Sequence, residues 1–515
     1  MFAKTFWNFA SQVLNFVVSF ADRFVLVAIL LRAWPRDLYS DWVTISACAS
    51  LLGLCDLGFV IYFGNQLQKA FNLGALDQFR RLFGIGIFIY GILAALVTCI
   101  LIVLALLVYT HPFLSILSLQ PLSTIVLLLL LGLVQIVHST KSAITQVFRA
   151  HGDYAWGSVI DSFASMVITA SAIIGALFGA QPISLALVYL CAHVLGGWGL
   201  LLAGINWRYS HLRFQPVVPS VSELYEAGNA IKWYAVIYAA PSILLQAPVI
   251  LLSALGLGGT ALVVFVVHRS LINFARTFIV MLSVAGGIEL SSLVHIGNTG
   301  EVGRNLRILG RIIAACGGIL AAGLLFFGAA IIQNWTGHPN LFDAETLFWF
   351  LVPILIVAPA IPLLSIAQYA GYAKPLAISN LTQIGISIPI CLVFGRVYGA
   401  SGIAFGLAVG ESVAVGLLLP AMIAKRIQIG YFRHWISCLA ISMSSLIWGG
   451  AVAFTIGSTI VTENPAALCF LVTAWGTITF LPVGYFLLPV DRRSRLAARL
   501  HSTVAMVYDE FLRRV

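Results

Sequence analysis

Eight ionisable side chains stand inside stretches of this 515-residue chain that are otherwise apolar: Asp22, Arg23, Asp56, Asp161, Arg269, Arg276, Glu289 and Glu411. An ionised group at the centre of a bilayer costs about 2.5 to 3.5 kcal/mol on insertion scales, so such residues normally face a bundle interior or a watery cavity. Arg269 and Arg276 are seven residues apart, two helical turns, and project from nearly one face. Arg23 and Arg269 each lie about 12 to 14 Å below the same membrane surface, counted along their apolar stretches. Asp56 and Arg276 form a second, deeper level. A guanidinium fork matches phosphate or carboxylate oxygens with two parallel bonds, and more strongly in low dielectric than in water. Arg23, Arg269 and Arg276 are therefore candidate substrate-binding cations for an anionic ligand. The alternative is that they pair with Asp22, Asp56 and Glu411 and only fasten helices together. Those three carboxylates are also candidates for a coupling proton or Na+, since burial favours their protonated form near neutral pH. Lys141 and Arg149 suit either the capture of an anionic head group at the inner surface or plain topology marking. Asp161 and Glu289 fit a gate or simple solvation, and His193 and His268 fit a satisfied core.

The elements that must hold these residues are membrane helices. Hydrophobic residues make up 61% of the chain and charged ones 9%, with mean hydropathy +1.02, where a soluble domain carries roughly 25% charge. The net charge of +10 is scattered through short loops, which excludes a nucleic-acid face. The eight cysteines stand singly without metal-ligand spacing, no metal or other cofactor is indicated, and no HExxH, GxSxG or P-loop occurs. The longest outer loops, near 110–119 and 333–343, offer only His111, His338 and Asp343 to a catalytic site, so an enzyme is not expected.

Fourteen spans of about 20 apolar residues are predicted, at 6–31, 40–66, 82–109, 120–140, 155–179, 183–207, 231–255 and 260–285, then at 308–332, 344–368, 376–396, 400–424, 433–457 and 465–489. The first is read as a retained span, not a cleaved leader. With both termini inside, every Lys and Arg between spans lies inside except Arg32, Arg36 and Arg396, the bias of an inner-membrane protein. Three weak internal matches recur at nearly one offset: Ile29–Ala33 with Ile250–Ala254 at 221, Leu73–Leu82 with Gly297–Leu306 at 224, and Arg149–Asp153 with Gln368–Tyr372 at 219. Six spans separate each pair, so the repeat is parallel. The domain reading is a six-helix bundle over 1–210, a linker over 211–230, a second bundle over 231–428, two added spans over 429–490, and a basic tail over 491–515.

The runs Asp41-Trp42, Leu54-Cys55-Asp56-Leu57-Gly58-Phe59 and Gly74 to Leu82, with the turn Arg149-Ala150-His151-Gly152-Asp153-Tyr154, resemble bacterial polysaccharide transporters. These are the O-antigen and exopolysaccharide repeat-unit flippases of the multidrug/oligosaccharidyl-lipid/polysaccharide exporter superfamily. The resemblance implies an all-α polytopic protein with two six-helix bundles in a V around a central cavity that opens alternately to each side. It also implies a polyprenyl-pyrophosphate-linked oligosaccharide as cargo, membrane lipids as surroundings, and a glycan polymerase or other assembly proteins as partners. A lipid II flippase, a multidrug cation antiporter and a membrane glycan polymerase or ligase are the rivals.

Overall fold

The computed structural model describes residues 17–18, 20–56, 58–110, 117–151, 153–209, 212, 215–457 and 465–487. Every regular element among them is helical. In chain order they are α1 (Val27–Ala33, entered through a π turn, Ala21–Leu26), α2 (Arg36–Leu51, continued by a 3-10 turn, Leu52–Asp56), α3 (Phe59–Asn72), α4 (Leu76–Thr110), α5 (Pro121–Ala150) and α6 (Tyr154–Leu177). Next come α7 (Pro182–Ala192), a π turn (His193–Gly199), α8 (Leu200–Arg208), α9 (Val221–Ala254), α10 (Thr260–Ile296), α11 (Thr299–Thr336), α12 (Ala344–Val357) and α13 (Ile361–Tyr369). The last are α14 (Ala373–Glu411), a third π turn (Ser412–Leu418), α15 (Leu419–Arg426), α16 (Phe432–Gly457) and α17 (Pro465–Leu487).

Twelve segments among the described residues are long and apolar enough to cross a membrane. The chain is an all-α polytopic membrane protein. One segment, Ala373–Arg426, contains Gly399 at φ 62°, ψ −130°, and so covers two of the expected spans. The first expected span begins outside the described residues, as do Lys4, His111 and the basic tail.

Several element boundaries recur at spacings close to those of the three internal sequence matches. α5 ends at Ala150 and α13 at Tyr369, and α6 begins at Tyr154 and α14 at Ala373, both 219 residues apart. The π turns at His193–Gly199 and Ser412–Leu418 stand at the same offset. α4 and α11 begin 223 apart, and α2 and α10 begin 224 apart.

The chain divides into two compact units. The first holds residues up to Phe274 with Trp335–Phe350 and Ala373–Ala414. Its core at one end is aromatic, with Phe63, Phe79, Phe83 and Phe148 all buried and Val147, Leu201 and Ile205 around them. Thr44 and Ser253 pair hydroxyls at 2.6 Å where α2 meets α9. The second unit holds Ala275–Asn334, Leu351–Tyr372 and the chain from Val415 on. There α16 lies so close to α11 that Gly318 leaves no room for a Cβ against the Ser442 carbonyl. The Trp475 indole N–H of α17 donates to the Gly449 carbonyl of α16 at 2.9 Å and packs on Phe327.

Candidate functional site

The three candidate cations have different surroundings. Arg269 on α10 donates from Nη1 to the Leu245 carbonyl at 2.6 Å and from Nη2 to the Leu244 carbonyl at 2.7 Å, with Phe265 under its guanidinium. Those carbonyls belong to α9, which contains Pro248. Proline has no N–H, so the carbonyl four residues before it, that of Leu244, loses its helical donor. Arg269 supplies the replacement. Arg23 lies on the π turn that enters α1 and is exposed, next in sequence to Asp22. Arg276 is half-buried on α10, beyond the boundary that assigns Arg269 to the first unit and Ala275 onward to the second.

The carboxylates also separate. Asp22 accepts from the Tyr189 hydroxyl at 3.4 Å. Asp56 accepts from the Tyr90 hydroxyl at 2.6 Å and from the Val60 backbone N–H of α3. Glu411 is half-buried at the last residue of α14, where the third π turn begins. Asp56 belongs to the first unit and Arg276 to the second.

Lys141 is expected at an inner helix end, because the predicted span ends at residue 140. Instead α5 continues to Ala150, and Lys141 lies nine residues inside it, 4% exposed. Its Nζ is 2.6 Å from Asp161 Oδ1 on α6, which makes the helix pair rather than the loop its setting. A file of polar groups runs through this part of the first unit. Asp22 meets Tyr189, Tyr189 packs near His193, the His193 and His138 rings are 6.1 Å apart, and His138 is within electrostatic reach of Lys141 and Asp161. Sequence reading passed over Tyr189, Tyr90 and His138 because uncharged or single polar residues carry no penalty large enough to stand out.

At the end of the unit assigned to the inside, the runs Gly74 to Leu82 and Arg149 to Tyr154 meet in one joint. Phe79 of α4 and Phe71 of α3 pack on His151, which stacks on Tyr209 at 4.2 Å. Asp153 accepts from Arg208 Nε at 3.1 Å and from the Tyr209 hydroxyl at 2.6 Å. The Arg208 guanidinium holds the Asp153 carboxyl below the usual carboxylate range. Arg81 clasps Glu223 at 3.2 and 3.1 Å, and Glu223 closes a capping box with Ser220 at the start of α9. With Arg81 and Ser220 as donors, Glu223 falls to about 2. Arg149 is half-buried and donates from Nη2 to Asn65 Oδ1 at 3.2 Å. On the opposite side, Asp41 is buried and accepts from Ser118 Oγ and the Leu119 N–H, tying down the loop before α5.

The outer-loop residues set aside for catalysis are engaged in structure. Asp343 caps α12 through the Thr346 N–H, and the Asp343 N–H donates to His268 Nε2. His338 Nε2 lies 3.3 Å from the Leu31 carbonyl. Among the described residues no group of three or more His, Cys, Asp or Glu could hold a metal.

No protein-family model matches the chain, and no curated protein matches its sequence. Solved structures do. A structure titled lipid II flippase MurJ in an inward closed conformation superposes with TM-score 0.66 at 13% identity, covering 94% of this chain and 98% of that one. An inward-facing multidrug resistance MATE family transporter of the MOP superfamily superposes with TM-score 0.62 at 13% identity, covering 80% and 95%. An outward-facing one gives TM-score 0.54 at 14% identity, covering 81% and 94%. This chain shares their fold. At such identity the likeness concerns the path of the backbone, so the roles of Arg23, Arg269 and Arg276 rest on this chain's own geometry.

Proposed function

We propose that this chain is a flippase that moves polyprenyl-pyrophosphate-linked oligosaccharide repeat units from the inner to the outer leaflet of a bacterial inner membrane by alternating access. The observation that carries the reading is the shared fold, which runs through 94% of this chain and nearly all of a lipid-linked-precursor flippase. The intramembrane guanidinium groups supply the chemistry: Arg23 and Arg276 would hold the pyrophosphate or acidic sugars by charge-assisted bonds. Arg269 spends two N–H groups on α9 and would add long-range charge. The Asp22 and Glu411 carboxylates would respond to a proton or Na+ gradient. Arg149 and the Lys141–Asp161 pair would lie on the entry side.

The test is a strain that depends on this chain for surface polysaccharide, carrying Arg23→Ala with Arg276→Ala. The expected result is lipid-linked repeat units accumulating in the inner leaflet at unchanged protein level. Unaltered surface polysaccharide would sink the reading. MurJ-like coverage favours a second reading, lipid II as cargo, and rescue of growth in cells depleted of their own lipid II flippase would select it.

A further inference from the structure

Asp56 sits where a membrane helix is broken. α2 tightens into the 3-10 turn Leu52–Asp56, Gly58 takes the left-handed conformation at φ 74°, and α3 starts afresh at Phe59. Beside the break is a small cavity of about 20 Å³, lined on its polar side by Asp56, Tyr90, Gln135, Ser139 and Thr140. A site needs about 10 to 15 Å³ on this measure to take one water, so this one admits a single water-sized body and no sugar or lipid. Tyr90 is fourteen residues into α4 and Gln135 fourteen into α5, and these helices run oppositely, so the cavity lies about 20 Å from each starting end, near mid-height.

Among the described residues no Lys, Arg or His lines the cavity. The carboxylate has about four lone-pair sites, of which the Tyr90 hydroxyl and the Val60 N–H take two. A charged carboxylate in a membrane interior needs a countercharge, and the lining offers oxygens for one: the remaining Asp56 sites, the Ser139 hydroxyl, and the Gln135 amide oxygen. The Gln135 side chain packs against Gly53, and its amide nitrogen is only loosely placed, 3.5 Å from Ser139 Oγ. With one carboxylate the site is too weakly charged for a divalent ion.

We infer that this cavity binds one dehydrated monovalent cation of the size of Na+. Its use as a coupling ion rests on the transport reading, but binding is read on the protein alone, without cargo. Purified full-length protein is unfolded thermally in NaCl, KCl and choline chloride at equal ionic strength. Na+ raises the midpoint saturably, as expected for a ligand of the folded state. Asp56→Asn abolishes the rise, and the milder Ser139→Ala shifts its half-saturation at least several-fold upward while the protein in choline unfolds as before. Asp77→Asn, at a fully exposed carboxylate, leaves the rise intact. A midpoint that is indifferent to Na+, or equally raised by choline, overturns the inference. So does a midpoint that follows pH alone, which would make Asp56 a protonated, neutral acid. Loss of flipping with Na+ binding intact would overturn the cargo reading and leave this one standing.

Discussion

At the residue scale, Arg269 shows how a charge can be visible in sequence while its partner is not. The arginine stands out because an intramembrane cation is costly. Its acceptors are main-chain carbonyls, and only Pro248, four residues after Leu244, hints that one of them lacks a donor. Arg269→Ala removes two charge-assisted bonds and should cost about 1 to 3 kcal/mol, the lower end applying where a membrane-solvated reference state finds other partners. Pro248→Ala in that background restores an N–H for Leu244 and should recover part of the loss. The coupling between the two changes in a double-mutant cycle of unfolding midpoints checks it, and strict additivity would show that Arg269 does not serve the proline break. Lys141 and Asp161 make a second case. The Lys141 side chain is 5% exposed and that of Asp161 44%. Asp161→Asn strands a buried ammonium, whereas Lys141→Met leaves a carboxylate with access to water. Asp161→Asn should therefore be the more destabilising, toward the roughly 3 to 5 kcal/mol of a broken buried pair. Equal losses in the two variants would contradict that asymmetry.

At the element scale, apolar runs gave the helices, but polar faces hid their true length. α5 outlasts its apolar run by ten residues because Lys141 turns into the bundle, where Asp161 is its partner. The start of α9 was read only as part of a linker, yet Ser220 and Glu223 cap it and Arg81 anchors it to α4. That anchor is titratable. Glu223 is lowered from its ordinary 4.5 to about 2 in the folded protein, so the unfolded chain takes up the proton first as pH falls. Its contribution is full above pH 4.5 and is lost on acidification toward pH 2. Wild type should exceed Glu223→Gln in unfolding midpoint at pH 7, the gap narrowing below about pH 4.5. A gap constant down to pH 3 would mean that the carboxylate charge is irrelevant to the cap. The π turns had no sequence signature of their own. Only their spacing of 219 residues ties them to the repeat, where His193-Val194 aligns with Ser412-Val413 and Gly197 with Gly416.

At the scale of the whole molecule, the repeat carries a topological consequence that the charge bias alone does not. Asp77 opens the first turn of α4 and Glu301 that of α11, 224 residues later, and the segments preceding them, Gly74 and Gly297, both adopt the left-handed backbone at φ 69° and 80°. Six spans separate the two turns, an even number, so a parallel repeat puts both on one side of the membrane. An inverted repeat would put them on opposite sides. On the positive-inside rule that side is expected to be the inner one, since Arg80 and Arg81 follow Asp77 and Arg304 and Arg307 follow Glu301. Asn340, which accepts from Arg36 at 2.8 Å in the loop before α12, is one span further on and is expected on the outer side. Single cysteines placed at Asp77, Glu301 and Asn340 in a background without the eight native ones would report this through a membrane-impermeant thiol reagent applied to intact cells. Only Asn340→Cys should react before lysis, and all three after it. Because α11 is the one span between Glu301 and Asn340, reaction of Glu301→Cys without Asp77→Cys or Asn340→Cys would make the repeat inverted and undo the equivalence of the two π turns as same-side features, while reaction of Asp77→Cys and Glu301→Cys without Asn340→Cys would reverse the orientation and keep the repeat.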